Sequence, residues 1–433
     1  MFRRIVLAWV LVNLWSPSTR AQVPYPRDLI PTRTALGRVG LERAWFATVP
    51  LVETERLLGI DIADNLLFAQ TNSTNLYTYD AESGRLLWST SLGHQTNEAR
   101  EVATNSRMVF VTSSRFLFAL DRRSGRTVWK IELPAQPSGP TGADESRVMV
   151  GLSSGKLTAF DVANGSPVWN WQTDGPILAR PVPAVQLVAF ASQDGKVYVA
   201  LSDTATMLYR FAAGGPISAS MGTFGTRTLL IPSVDKNVYA LDLLSADTKW
   251  TFPSGAPVLQ EPLVASNDVY VVNTQGQMSA LDAETGLPRW TTSTHGGQLL
   301  TVGARRIYLN SSDRDLFLID RATGQTIADP RATRDRSGVN LREFNLDVTN
   351  SLNDRLYFAT SSGLVLALRE IGAAQPHLHR DPKAPPFGSI PSEDASGTPP
   401  AAPAAPAEAP ADADAAPAEL SGQPAAKDED TPQ

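Results

Sequence analysis

The 433-residue sequence contains no cysteine. That excludes disulfides, zinc–thiolate sites, a cysteine nucleophile and the lipid-linked N-terminal cysteine of a bacterial lipoprotein. Long apolar runs are missing too. Residues 5–15 form an apolar stretch of 11, short of the ~20 that cross a bilayer. Arg3 and Arg4 precede this stretch and the small residues Thr19 and Ala21 follow it. This pattern predicts a secretory signal peptide over residues 1–21. The expected mature chain starts near Gln22, is exported across the inner membrane, and carries no transmembrane segment. Its expected location is periplasmic or envelope-associated.

Charge is scarce outside the C-terminus. The formal net charge is −6, and the segment from Ala373 holds ten Asp/Glu against three Lys/Arg, a net of −7. Residues 1–372 are therefore close to neutral, and no nucleic-acid footprint is visible. Phosphate-binding, nucleophile-elbow and zincin motifs are absent. Four histidines occur. His94 and His295 fall in separate repeats, and His377 and His379 form an H-x-H pair with too few further ligands for a metal site. No cofactor is expected.

What is present is a repeated sentence. The stretch from Ala280 to Trp290 reads ALDAETGLPRW, and TYDAESGRLLW, ALDRRSGRTVW and AFDVANGSPVW occur earlier. Aligning the Asp gives Asp80, Asp121, Asp161, a degenerate Ser202, Asp242, Asp282 and Asp320, spaced by 38–41 residues. Leu368 stands at that position in an eighth copy. A period near 40 with strand-like content is the signature of a propeller blade. Each copy holds a hairpin of two apolar strands. The Asp then caps a turn, and a Gly supplies positive φ at Gly84, Gly125, Gly165, Gly286 and Gly324. A further strand carries Trp88, Trp129, Trp169, Trp250 or Trp290. Pro167 and Pro288 mark that strand as an edge, since proline cannot donate to a central ladder. Segments 176–183 and 256–264 are read as innermost strands.

Eight hairpins are counted, and the last has no Trp strand after it. Trp45, in LERAWFATVP, has no hairpin before it. The expected fold is therefore all-β: an eight-bladed β-propeller of four-stranded antiparallel blades, the ring closed by an N-terminal strand in the last blade. The expected organisation is signal peptide 1–21, linker 22–40, propeller 41–372, and a disordered Pro/Ala-rich acidic tail 373–433.

The motif A-L-D-x-x-T-G-x-x-x-W resembles the quinoprotein-type (PQQ-like) propeller repeat. The resemblance covers roughly residues 41–371. One branch of that superfamily comprises dehydrogenases that hold PQQ and calcium in the central channel, some over a vicinal disulfide that a chain without Cys cannot form. The other comprises non-enzymatic proteins like BamB, an accessory factor of outer-membrane β-barrel assembly. Length and export resemble the second. The resemblance implies a non-catalytic, monomeric scaffold with protein partners. The alternatives are a PQQ- or small-molecule-binding enzyme using the channel, and an extracellular sensor or structural subunit of a larger complex.

The tryptophans (Trp45, Trp88, Trp129, Trp169, Trp250, Trp290) are expected to wedge blade against blade, and the Asp residues to cap turns. The most unusual segment is 328–350, about eight residues longer than its counterparts. It holds Arg331, Arg334, Arg336, Arg342 and Phe344, a composition typical of partner surfaces.

Overall fold

Alternation of Val, Leu, Phe and Tyr with turn residues every four to six positions favours short antiparallel strands over helices. The computed structural model describes residues 29–93, 98–294 and 296–389. The expected signal peptide, His94, His295 and the chain from Ile390 onward lie outside the described residues. Eight four-stranded antiparallel sheets are present, and they form an eight-bladed β-propeller. In the first blade the strands run outward from the channel as Leu57–Ala63, Leu66–Thr71, Asn75–Asp80 and Leu86–Ser91. Blades two to seven span residues 103–132, 142–172, 182–212, 222–253, 263–293 and 298–328.

The eighth blade is made from both ends of the ring. Its inner three strands are Leu346–Asp347, Leu356–Ala359 and Leu364–Glu370, and its outermost is Leu41–Thr48. The pairing runs from Leu41 opposite Glu370 to Thr48 opposite Leu364. Opening the ring would strand two sheet edges, so closure removes the exposure that edge strands otherwise carry.

Innermost strands are shorter than the sequence suggested. The paired strands are Val182–Ala184 and Leu263–Ala265, so only the last two residues of each segment read as an inner strand pair. Pro181 and Pro183 supply no N–H there, and the chain approaches the channel as unpaired connector.

Every outer strand carries a β-bulge at one register. In the second blade Ala119 pairs with Trp129 and Leu120 with Thr127, so Val128 is skipped. The same slip skips Val168, Leu208, Ile327 and, in the closing strand, Ala44. The bulge turns the next residue onto the neighbouring blade. There the indole Nε1 donates to a backbone carbonyl: Trp45 to Ala81, Trp88 to Arg122, Trp129 to Val162, Trp169 to Ser202, Trp250 to Ala283 and Trp290 to Arg321, all at 2.8–3.0 Å.

The turn glycine serves the same junction. At Gly125, φ is +68°, and an added Cβ would lie 2.3 Å from Trp88 Cε3. Gly84, Gly165, Gly286 and Gly324 meet Trp45, Trp129, Trp250 and Trp290 in the same way. Glycine is therefore required both for its left-handed backbone and for contact with the indole face.

The fourth repeat corrects the alignment by one residue. Leu201 N donates to Thr206 O, as Asp80 N does to Arg85 O, so the Asp position there is Leu201 and not Ser202. The Trp position is then Tyr209, whose hydroxyl donates to Leu243 O at 2.6 Å. In the eighth blade the bulge register shifts the Asp position from Leu368 to Arg369.

Candidate functional site

The repeat aspartates sit in the turns and accept local bonds. Asp80 and Asp121 accept the N–H and hydroxyl of Ser83 and Ser124; Asp282 and Asp320 accept those of Thr285 and Thr323. Asp161 accepts Ala163 N, and Asp242 accepts Leu244 N and Ser245 N. Hydrogen bonds from Ser124, Thr285 and Thr323 hold the carboxyls of Asp121, Asp282 and Asp320 below the usual carboxylate range. These carboxylates are spread around the ring and converge on no common point.

The long segment before the last blade is built differently from its sequence reading. Ala328 occupies the Trp position of the seventh blade. Val339, Leu341 and Phe344 fill the gap, joined by Ala35 and Leu36. Those two belong to the helix Arg33–Arg38, which Thr32 caps and which lies within the stretch read as linker. Phe344 is 1% exposed, so it is core and is unavailable to a partner. Arg334 and Arg342 both grip the carboxylate of Asp315, at 2.6 and 3.0 Å, and Asp315 is itself 1% exposed. A buried carboxylate needs such partners to remain charged. Of the five residues proposed as a surface, Arg331, Arg336 and Arg342 are exposed, Arg334 is half-buried and Phe344 is buried, and Arg342 is tied to Asp315.

The structure brings together a polar group that sequence reasoning missed. Glu101, Arg180 and Glu261 each stand two residues before an inner strand, in the second, fourth and sixth blades. With Asp61 they line a channel cavity of about 640 Å³. Arg180 pairs with Glu101. Asp61 Oδ1 accepts Ile62 N at 2.8 Å and Oδ2 accepts Val102 N at 2.6 Å, tying the first blade to the second. Burial pushes the Asp61 carboxyl up to about 6, and the protein crowding around the channel pushes the solvent-accessible Glu261 carboxyl up to about 7. Burial works against the Arg180 charge, yet Glu101, Asp61 and Glu261 together hold its guanidinium above its ordinary value. The cluster is a negatively biased lining around one arginine. The only sequence signal for it was register: Glu101, Arg180 and Glu261 lie close to two repeat periods apart.

The expected tail does not leave the propeller at Ala373. Residues 373–389 are described, and His379 and Phe387 are buried. His379 Nδ1 and Nε2 face Ser351 O at 3.1 Å and Val302 O at 2.7 Å. Its ring points inward while His377 is exposed, so the H-x-H pair presents no joint site. Among the described residues no group of three or more His, Asp or Glu could hold a metal ion, and no helix is long and apolar enough to cross a membrane.

Two curated proteins named outer membrane protein assembly factor BamB illustrate the similarity. The chain is 22% identical over 202 residues to that of Nitrosomonas eutropha, covering 43% of this chain and 49% of the relative. It is 21% identical over 197 residues to that of Shewanella oneidensis, covering 42% and 50%. The chain thus spans about half the length of the curated relatives it matches. The crystal structure of BamB from Moraxella catarrhalis superposes with a TM-score of 0.60 at 19% identity, over 76% of this chain and 97% of that one. A computationally designed protein, Ika8, superposes with a TM-score of 0.59 at 14% identity, over 74% of this chain and 98% of that one, a likeness of fold alone. Overlapping matches to a single family model run over residues 31–170, 113–223 and 193–394, and the chain belongs to that family, described as outer membrane protein assembly factor BamB.

Proposed function

We propose that this chain is a non-catalytic, protein-binding scaffold of the bacterial periplasm that assists assembly of outer-membrane β-barrel proteins. The observation that carries the reading is the family match, which runs through the whole ring from residue 31 to residue 394. Rigid blades that hold loops in fixed register suit a docking platform.

The partner surface is best sought on the face formed by the central hairpin turns and the blade-to-blade connections. The long segment lies there: Arg314 Nη1 donates to Asn345 O, and Asn345 Oδ1 accepts Ser361 N. Arg331 and Arg336 are exposed on it, and arginine is enriched among residues that dominate binding energy.

Affinity purification from cross-linked envelopes tests this. Components of the outer-membrane assembly machinery are expected to co-purify with the wild-type chain. Recovery is expected to drop roughly tenfold for Arg331→Ala/Arg336→Ala, the effect of losing a little over 1 kcal/mol of binding. Enrichment of no envelope protein with either form would remove the scaffold reading. The channel cluster of Glu101, Arg180 and Glu261 would then favour a small-ligand binder instead.

A further inference from the structure

The antiparallel order of each blade puts its first-to-second and third-to-fourth strand turns on one face. Residues 373–389 run along the first-to-second turns of that face. The root is held by Arg355, whose Nη2 donates to Ala373 O at 3.0 Å and Ala374 O at 3.4 Å. Backbone bonds follow in order: Asp354 N to His377 O, His379 N to Leu352 O, Ser266 N to His379 O, and Gly388 N to Thr226 O. The segment thus passes from the eighth blade to the sixth and on to the fifth.

Two side chains anchor it. His379 is 5% exposed, with its ring against the carbonyls of Ser351 and Val302. Phe387 is 7% exposed and packs in the apolar cluster of the fourth and fifth blades. Gly388 follows directly against Ala184, where a Cβ would lie 2.6 Å from the Ala184 carbonyl carbon.

Between these anchors the chain changes character. Residues 380–386, RDPKAPP, bond to themselves: Arg380 Nη2 to Pro385 O, Lys383 N to Asp381 Oδ1, and Ala384 N to Asp381 O. Beneath them is a cavity of about 940 Å³, with walls from the first, fifth, sixth and eighth blades and from the segment itself. Walls from the first and fifth blades place this cavity across the mouth of the ring. Asp64, Glu261, Ser351 and Leu352 line both this cavity and the channel cavity that holds Arg180.

We propose that residues 376–388 are a hinged lid over this mouth of the channel, held shut by His379 and Phe387 and able to open while the blades stay folded. A span with two buried anchors and a self-bonded, solvent-exposed middle has few contacts to lose on opening, which is the physical mark of a low-stability unit. Prolines at 376, 382, 385 and 386 stiffen it, so it moves as one piece. Opening would widen the mouth above the polar lining around Arg180 and Glu261, which the two cavities already share through Glu261.

Native-state hydrogen exchange on the full chain tests the lid. The amides of Ser266, Asp354, His379 and Gly388 are expected to exchange through one shared opening, at least tenfold faster than core amides such as Phe190 and Val199. Phe387→Ala is expected to speed all four together, by of order a hundredfold, and to leave the core amides unchanged. A second readout uses the absence of native cysteine. A single Thr223→Cys beneath the segment is expected to react faster with a charged thiol reagent when Phe387→Ala is added. The proposal is overturned if the four amides exchange only with global unfolding, for the segment is then a fixed staple. It is equally overturned if Phe387→Ala leaves both the exchange and the thiol reactivity unaltered.

Discussion

Trp169→Ala is expected to lower the stability of the ring by about 3–5 kcal/mol. The indole is 7% exposed, and it is enclosed by Met149, Leu157, Ile177, Val188, Phe190 and Tyr198 from two adjoining blades. A buried Trp removes ~150–250 Å² from water, worth of order 4–6 kcal/mol at the usual coefficient, as an upper bound. Its Nε1 also donates to Ser202 O at 2.8 Å, so truncation strands that carbonyl. Trp171 offers a control on the same strand. It is only partly buried, and its Nε1 has no partner, so Trp171→Ala is expected to cost clearly less. Denaturant unfolding followed by circular dichroism separates the two. A loss under about 1 kcal/mol for Trp169→Ala would mean that blade docking does not depend on the indole.

Arg355→Met is expected to cost a similar ~3–5 kcal/mol, through charge and not through area. Arg355 is 1% exposed and sits at the seam where the ring closes. Its Nη1 donates to Asp354 at 2.9 Å and its Nε to Glu82 of the first blade at 3.2 Å. Asp354 is 2% exposed, so removing the guanidinium leaves a buried carboxylate with one remaining bond, from His377 N. An unpaired buried charge is costly, whereas deleting both charges is often close to neutral. Asp354→Asn/Arg355→Met should therefore recover a large part of the loss, and a double-mutant cycle measures it. If the double variant is as unstable as the sum of the singles, the two side chains act independently and the seam is held by other contacts.

The ring was legible because its parts are local. An Asp, a Gly and a Trp within nine residues report a turn and an edge strand wherever they recur, and counting the hairpins before them gave eight blades and, with Trp45 lacking a hairpin, the split eighth sheet. The aspartates, glycines and tryptophans sit in one repeated turn-and-strand unit for the same reason. Legibility failed where the determinant is not local. The sequence ALSD around residue 202 offers two candidate positions, and the one-residue error hid Tyr209, which pairs opposite Val199 just as Trp129 pairs opposite Ala119. Phe344 lies among polar neighbours, and only the missing bulk at Ala328 explains its burial. Glu101, Arg180 and Glu261 meet because three blades point them at one axis, and no window of sequence contains them together. Residues 373–389 read as tail by composition, yet His379, Phe387, the Arg355 guanidinium and a series of backbone bonds bind them to the ring.

The most direct test of the scaffold reading is the amount of correctly assembled β-barrel protein in the outer membrane of cells lacking this chain. Assembled, heat-modifiable barrels are expected to fall severalfold and to be restored by the wild-type chain, with Trp169→Ala restoring less as the ring loses stability. Unchanged barrel levels in the deletion would contradict the account, because a scaffold for their assembly cannot be removed without effect.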